Sequence, residues 1–120
     1  MNAYLASHAR NEIELQGLRH AVRDRRRVAT SLGYGPRFLH STGQLHKGGP
    51  NSGVFLQITT RDSQDLSIPG QRYSFGVLAD AQAQGDFEVL VKRDRRVLWV
   101  ELDESEHGVS RLRELVESAL

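Results

Sequence analysis

The stretch Gly33-Tyr-Gly-Pro-Arg-Phe-Leu-His-Ser-Thr-Gly-Gln-Leu-His-Lys-Gly-Gly-Pro-Asn-Ser-Gly53 runs directly into Val54-Phe-Leu-Gln-Ile-Thr59, and the two parts have opposite character. The first holds six of the chain's eleven glycines, two of its three prolines and two of its five histidines. Apart from Phe38, Leu39 and Leu45, it is built of residues that bend backbone and handle protons or oxyanions. The second is a near-continuous apolar run, suited to a strand buried on both faces. Buried strands of this kind belong to parallel sheets covered by helices, and a long non-repetitive connection ahead of one is where such folds place a binding site.

Working outward, the N-terminal flank alternates strand and helix signals. Residues 3–8 are expected as a short first strand. Residues 11–23 read as a helix, with Asn11 as its cap, Glu14 as the reciprocal acidic partner, and Leu15, Leu18 and Val22 on one face. Gly17 weakens this helix by about 1 kcal/mol relative to alanine, so packing must hold it. The arginine-rich run 23–27 could bind phosphate or nucleic acid, but the near-zero net charge and the lack of interleaved aromatics favour a solvated helix end whose cations complement the macrodipole. Residues 28–32 are expected as a buried strand that delivers the glycine-rich stretch at its C-terminal end, where ligand sites of open α/β sheets lie. Pro36 suits a first helical turn, and 37–46 reads as a short helix ended by Lys47-Gly48-Gly49-Pro50.

On the C-terminal side, 62–66 is a polar connection, and Ile68-Pro69-Gly70-Gln71 has the order of a type II turn. A helix over 73–84 is expected, with Tyr73, Val77 and Ala81 sharing a face and Gly85 as the stop. Residues 87–93 pair with 96–102 as a hairpin, or Asp86 caps a short helix leading into a strand at 96–102; the second strand stands either way. Residues 103–105 cap a last helix with Val109, Leu112, Val116 and Ala119 inward. The sum is a single α/β domain over 1–120, a small, mainly parallel sheet flanked by helices.

Composition narrows the function classes. The chain has 120 residues, 38% hydrophobic and 26% charged, with a net charge of +1. That balance gives no general attraction to nucleic acid or to a membrane surface. The absence of cysteine removes disulfide and thiolate chemistry. The first ten residues lack a basic start and an apolar core, and no apolar run approaches the roughly 20 residues of a membrane span. A cytoplasmic location is therefore the expectation.

The residues that could do chemistry lie in the glycine-rich stretch. His40 and His46 are six apart; on one helix they point about 120° away from each other, so no metal is expected between them. His40 reads as a lone acid/base group or as a hydrogen-bonded structural histidine. Lys47 precedes its glycines rather than following them, so the stretch is not a P-loop, and Gly33-Tyr-Gly-Pro is not a dinucleotide fingerprint. Arg37, Ser41, Thr42, Gln44, His46, Lys47 and Asn51 could hold sugar hydroxyls or phosphate oxygens; capping and turn chemistry accounts equally well for the polar ones.

The block from Gly33 to Thr59, with Ile68-Pro-Gly-Gln-Arg-Tyr-Ser-Phe-Gly-Val-Leu, Ala81-Gln-Ala-Gln-Gly-Asp86 and Arg95-Arg-Val-Leu, resembles the C-terminal region of bacterial glucose-6-phosphate isomerases, in particular those fused behind a transaldolase. The resemblance covers the chain from Arg19 onward. It implies a sugar-isomerase (SIS) type domain, here the closing part of the second one, working on sugar phosphates without a cofactor in glycolysis, gluconeogenesis and the pentose phosphate pathway. In that family a histidine opens the sugar ring and a glutamate moves the proton between C1 and C2. The ring-opening role carries over to His40. A lysine from a C-terminal helix has no match in 73–84, and Lys47 is the candidate to replace it. Neither the serine/threonine-rich phosphate loop nor the catalytic glutamate has a matching segment. The expectation is a piece inactive alone, whose partners are a sugar phosphate and the remaining isomerase domain or further copies of itself. The alternative is a non-catalytic sugar-phosphate-binding or protein-interaction module.

Overall fold

The computed structural model describes residues 1–60, 65–103 and 107–120. Four parallel strands form one sheet: β1 (Asn2–Tyr4), β2 (Gly33–Tyr34), β3 (Val54–Thr60) and β4 (Arg96–Leu102), in the order β2-β1-β3-β4. Four α-helices connect or close them: α1 (Ala9–Arg26), α2 (Thr42–Gly48), α3 (Phe75–Lys92) and α4 (Gly108–Ala119). The fold is α/β, a parallel sheet between helices, as the strand and helix alternation requires.

The two faces of the sheet differ in chemistry. Ala3 and Ile58 point to one face and meet Leu15 and Leu18 of α1 and Val109 and Leu112 of α4 in the main apolar core. Tyr4 points to the other, where it packs with Phe38 and Ala83 beneath α3. The period-2 alternation of strands thus sends neighbouring residues of β1 into an apolar and a mixed layer. Chain order and strand order together make this a doubly wound sheet. The chain leaves β1 toward β2 on one side and returns to β3 on the other, so the switch point lies between β1 and β3. Among the described residues, no helix is long and apolar enough to cross a membrane.

Several elements depart from the sequence reading for identifiable reasons. Helix α1 starts at Ala9, because the His8 ring, not Asn11, is the cap and accepts from the Asn11 amide at 3.4 Å. It continues through the arginine run, whose Arg25 and Arg26 donate to the Glu117 and Ala119 carbonyls at 2.7 and 3.2 Å. These arginines therefore complement the C-terminus of a neighbouring helix as well as that of their own. Gly17 has its explanation here: the Arg113 guanidinium lies across it, where a Cβ would stand, and bonds Glu14 and Glu117 at 3.3 and 2.7 Å.

The expected strand at 28–32 is absent. Val28 is half exposed, and pairing is confined to Gly33–Tyr34. The expected helix 37–46 is broken at Ser41 into a 3-10 turn (Arg37–His40) and α2. Gly85 does not stop α3, which runs on to Lys92; the hairpin alternative for 87–93 is thereby excluded, and Asp86 lies inside the helix rather than at its cap. The buried face of α3 is Ala83, Asp86 and Leu90, whereas Tyr73, Val77 and Ala81 are exposed. On α4, Val109 and Leu112 are buried and Val116 packs against the core, but Ala119 is exposed. The Ile68–Gln71 turn forms as expected, with Gly70 at φ +79° and the Gln71 amide donating to Ile68 O at 3.0 Å. Most of the 62–66 connection and of the 103–105 cap lies outside the described residues.

Candidate functional site

Strand β2 is only two residues long, and Gly35 and Pro36 carry the chain straight off its C-terminal end into the 3-10 turn. Phe38 is the anchor of this turn. It is 4% exposed and meets Tyr4, at the C-terminal end of β1, edge to face with ring centroids 5.6 Å apart. Anchoring Phe38 inward turns its neighbours outward, so Arg37 and His40 stand in solvent.

At the same end of the sheet, a cleft of about 410 Å³ opens between β1, β3 and the start of α3. Tyr4, Leu5, Gly35, Thr60, Asp65, Gly76, Val77, Ala79 and Asp80 line it. This is the switch-point crevice where doubly wound sheets bind ligands. Its one helix N-terminus is already served by a carboxylate of the chain itself. Asp65 accepts from the Gly76 amide at 2.7 Å and from the Ser74 hydroxyl, while Ser74 caps α3 through the Val77 amide. The Ser74 hydroxyl, then the Gly76 amide, hold the Asp65 carboxyl below the usual carboxylate range. Asp80 adds a second carboxylate to the wall, and among the described residues no cation lines it.

None of the eight residues singled out from the sequence lines this cleft. Arg37, His40 and Thr42 are exposed. Ser41 and Gln44 donate back to the Phe38 and Leu39 carbonyls, each at 3.3 Å. Asn51 donates to the Asp94 carbonyl at 3.0 Å and ties the stretch to the turn before β4. His46 and Lys47 point inward, to the layer beneath α3.

That inward layer is polar. Lys47 Nζ lies 2.8 Å from Asp86 Oδ1, and the Asp86 side chain is 2% exposed. The His46 ring lies tilted between Phe38 and Phe55 at centroid distances of 6.1 and 5.1 Å. Gln57, fully buried, donates to the Ala83 carbonyl at 2.8 Å and sits beside Asn2 in the register of β1 and β3. The Tyr4 hydroxyl, both amide atoms of Asn2, His46 Nδ1 and Gln57 Oε1 are buried without a hydrogen-bond partner among the described residues. Burial, then the Asp86 charge, push the Tyr4 phenol well above its ordinary value. Among the described residues no group of three histidines or carboxylates stands together as a metal would need.

His46 carries a testable pH dependence. Burial is the main cause of its lowered pKa. The Met1 amino group and the Lys47 ammonium add to the lowering, and Asp86 partly opposes it. The unfolded chain therefore takes up the proton first, and stability is lost as pH falls from the ordinary histidine value through the lowered one. Urea unfolding at pH 7.5 and pH 5 should show this loss. His46→Phe, which keeps the ring between Phe38 and Phe55, should remove the part due to this residue and change stability by less than about 1.5 kcal/mol at pH 7.5.

With this geometry in place, comparison with known proteins gives a fold neighbour. A hypothetical protein from Thermus thermophilus, known from its crystal structure, superposes with a TM-score of 0.66 at 19% sequence identity. The match covers 97% of this chain and 32% of that one, so the chain spans about a third of the length of its structural neighbour. The likeness is one of fold. No family model and no curated protein matches the chain.

Sequence reasoning assigned no site role to Tyr4, Asp65, Asp80 or Asp86. Only Asp86 left a signal, since Ala83, Asp86 and Leu90 recur at helical spacing, which puts the carboxylate inside an apolar stripe.

Proposed function

We propose that the chain is the sugar-ring-handling part of an aldose–ketose isomerase that interconverts glucose 6-phosphate and fructose 6-phosphate, and that it does not turn over alone. The observation that carries this reading is the placement of His40. It is exposed, without a partner among the described residues, on a 3-10 turn just beyond the C-terminal end of β2 and at the same end of the sheet as the cleft. The motifs around it are those that resemble the bacterial isomerases.

The chemistry follows from what the site has and lacks. An imidazole at the sugar ring can give a proton to the ring oxygen and take one from the anomeric hydroxyl, which opens the ring. Among the described residues, Thr60, Asp65 and Asp80 in the wall of the cleft offer acceptors to sugar hydroxyls. The phosphate and the base that moves the C2 proton are then held by the remaining domain, and each component alone is inactive. On this reading the protein works in the cytoplasm.

Mixing the chain with the isolated first domain of a bacterial glucose-6-phosphate isomerase should restore turnover in an assay coupled to oxidation of glucose 6-phosphate. His40→Ala should then lower the rate about a hundredfold or more. An unchanged rate removes His40 from the chemistry. Failure to reconstitute, with glucose 6-phosphate still shifting the amide resonances of 35–40 and 76–80, would replace the isomerase reading by that of a non-catalytic sugar-phosphate-binding module.

A further inference from the structure

We infer that the layer beneath α3 is a binding site for ordered internal water, held between the side chains of Asn2, Tyr4 and Gln57. The inference is independent of the isomerase reading. It begins in the register of the sheet. Asn2 and Tyr4 flank Ala3 on β1, and Gln57 and Thr59 flank Ile58 on β3. Ala3 and Ile58 enter the apolar core with α1 and α4, so their neighbours face the other way, toward α3. Asn2 pairs with Gln57 and Tyr4 with Thr59, which puts the three polar side chains on one stretch of that face.

Depth makes the arrangement costly without a further partner. Asn2 is 1% and Gln57 0% exposed, and the Tyr4 hydroxyl is buried although its residue lines the cleft. Asn2 Oδ1, Asn2 Nδ2, Tyr4 Oη and Gln57 Oε1 have no hydrogen-bond partner among the described residues. The orientation of Gln57 is fixed from its other end, where the amide nitrogen donates to the Ala83 carbonyl at 2.8 Å. A buried amide or hydroxyl left unpaired costs at least what a hydrogen bond is worth, and four together rival the margin by which a domain stays folded. Folded proteins satisfy such groups with protein atoms or with ordered water.

The kinds of atom select the occupant. Two are amide oxygens, which need a donor. One is an amide nitrogen, which needs an acceptor, and the phenol is both. A cation would leave the Asn2 nitrogen unserved. An anion would face both amide oxygens, with the Asp86 carboxylate in the same layer. Water donates twice and accepts twice, which matches the set. Asp86 itself is held by Lys47 at 2.8 Å and stays outside it. Tyr4 joins the two sites, lining the cleft and holding the water by its hydroxyl, so the water braces one wall of the cleft from behind.

The test is a high-resolution crystal structure of the whole chain, with oxygen-17 relaxation dispersion of the water signal in solution. The crystal should show water within hydrogen-bonding distance of Asn2, Tyr4 and Gln57, and the dispersion a long-lived water contribution. Asn2→Leu with Gln57→Met removes both amides at nearly constant volume. With roughly one internal water per 27 residues in a folded chain, losing this one should lower the contribution by about a quarter or more. Tyr4→Phe keeps the ring and should leave the water in place with one bond fewer and faster exchange. An unchanged dispersion in the folded double variant overturns the proposal. So does a wild-type crystal in which the four atoms bond one another directly, or in which a metal ion lies among them. The wild-type crystal decides even where the double variant fails to fold.

Discussion

Lys47→Met should destabilise the fold by about 3–5 kcal/mol, the cost of leaving a buried charge without its partner. The Asp86 side chain is 2% exposed and that of Lys47 is 23% exposed. This difference makes the two single substitutions unequal. Removing Lys47 strands a carboxylate that cannot reach water. Removing Asp86 leaves an ammonium on a flexible stem that can turn toward solvent, so Asp86→Leu should cost less. Replacing both, as Lys47→Met with Asp86→Leu, should recover most of the loss, because two apolar side chains then fill the site. Urea unfolding of the four proteins measures the coupling. A double substitution no better than the sum of the singles would show that the pair does not interact, and equal singles would contradict the difference in exposure. Against the 5–15 kcal/mol that holds an ordinary domain, Lys47→Met would bring the chain close to unfolding. Because Lys47 anchors the glycine-rich stretch to α3, the variant also separates its two roles. A sugar ligand that relied on Lys47 would lose affinity in the double variant even though the fold had recovered.

Ile58→Ala should cost about 2–5 kcal/mol. Ile58 is fully buried in the central strand, paired in register with Ala3 on one side and Val100 on the other. It packs in the same core as Leu15 and Leu18 of α1 and Leu112 of α4. Elements from both ends of the chain meet at this residue, so the cavity has walls that cannot collapse independently. Leu115→Ala deletes a leucine that is 68% exposed and should stay within about 0.5 kcal/mol. A cost for Ile58→Ala no larger than for Leu115→Ala would mean that α1 and α4 do not close over the sheet as described.

The parts of the fold legible in the sequence are those where one face pattern runs unopposed. Residues 54–59 and 96–102 read as strands, and Leu15, Leu18, Val109 and Leu112 read as inward. The failures have a common cause. Gly85 looks like a helix stop, but α3 packs along the sheet on Ala83, Asp86 and Leu90, and that tertiary contact outweighs the roughly 1 kcal/mol a mid-helix glycine costs. Val28 and its neighbours look like a strand, but partners decide strands, and the chain offers pairing only at Gly33 and Tyr34. Of the candidate site, the exposure of His40 follows from the short turn the prolines and glycines force. The cleft itself was not legible: Tyr4, Thr60, Asp65 and Asp80 come from β1, β3, the connection after it and α3, and no local pattern joins them.

Strand β1 lies between β2 and β3, so its three residues complete the middle of the sheet, although both neighbours follow it in the chain. Asn2 takes one neighbour from Gly33 and another from Gln57. During translation β1 leaves the ribosome before either of them has been made, and its second edge stays open until β3 has emerged. Closing so long a loop is entropically costly and is rewarded only when Ile58 and Leu15 can meet across the finished core. Until then α1 exposes an apolar stripe with nothing from the sheet to cover it, and the nascent chain is most open to chaperone capture while β1 waits for a partner.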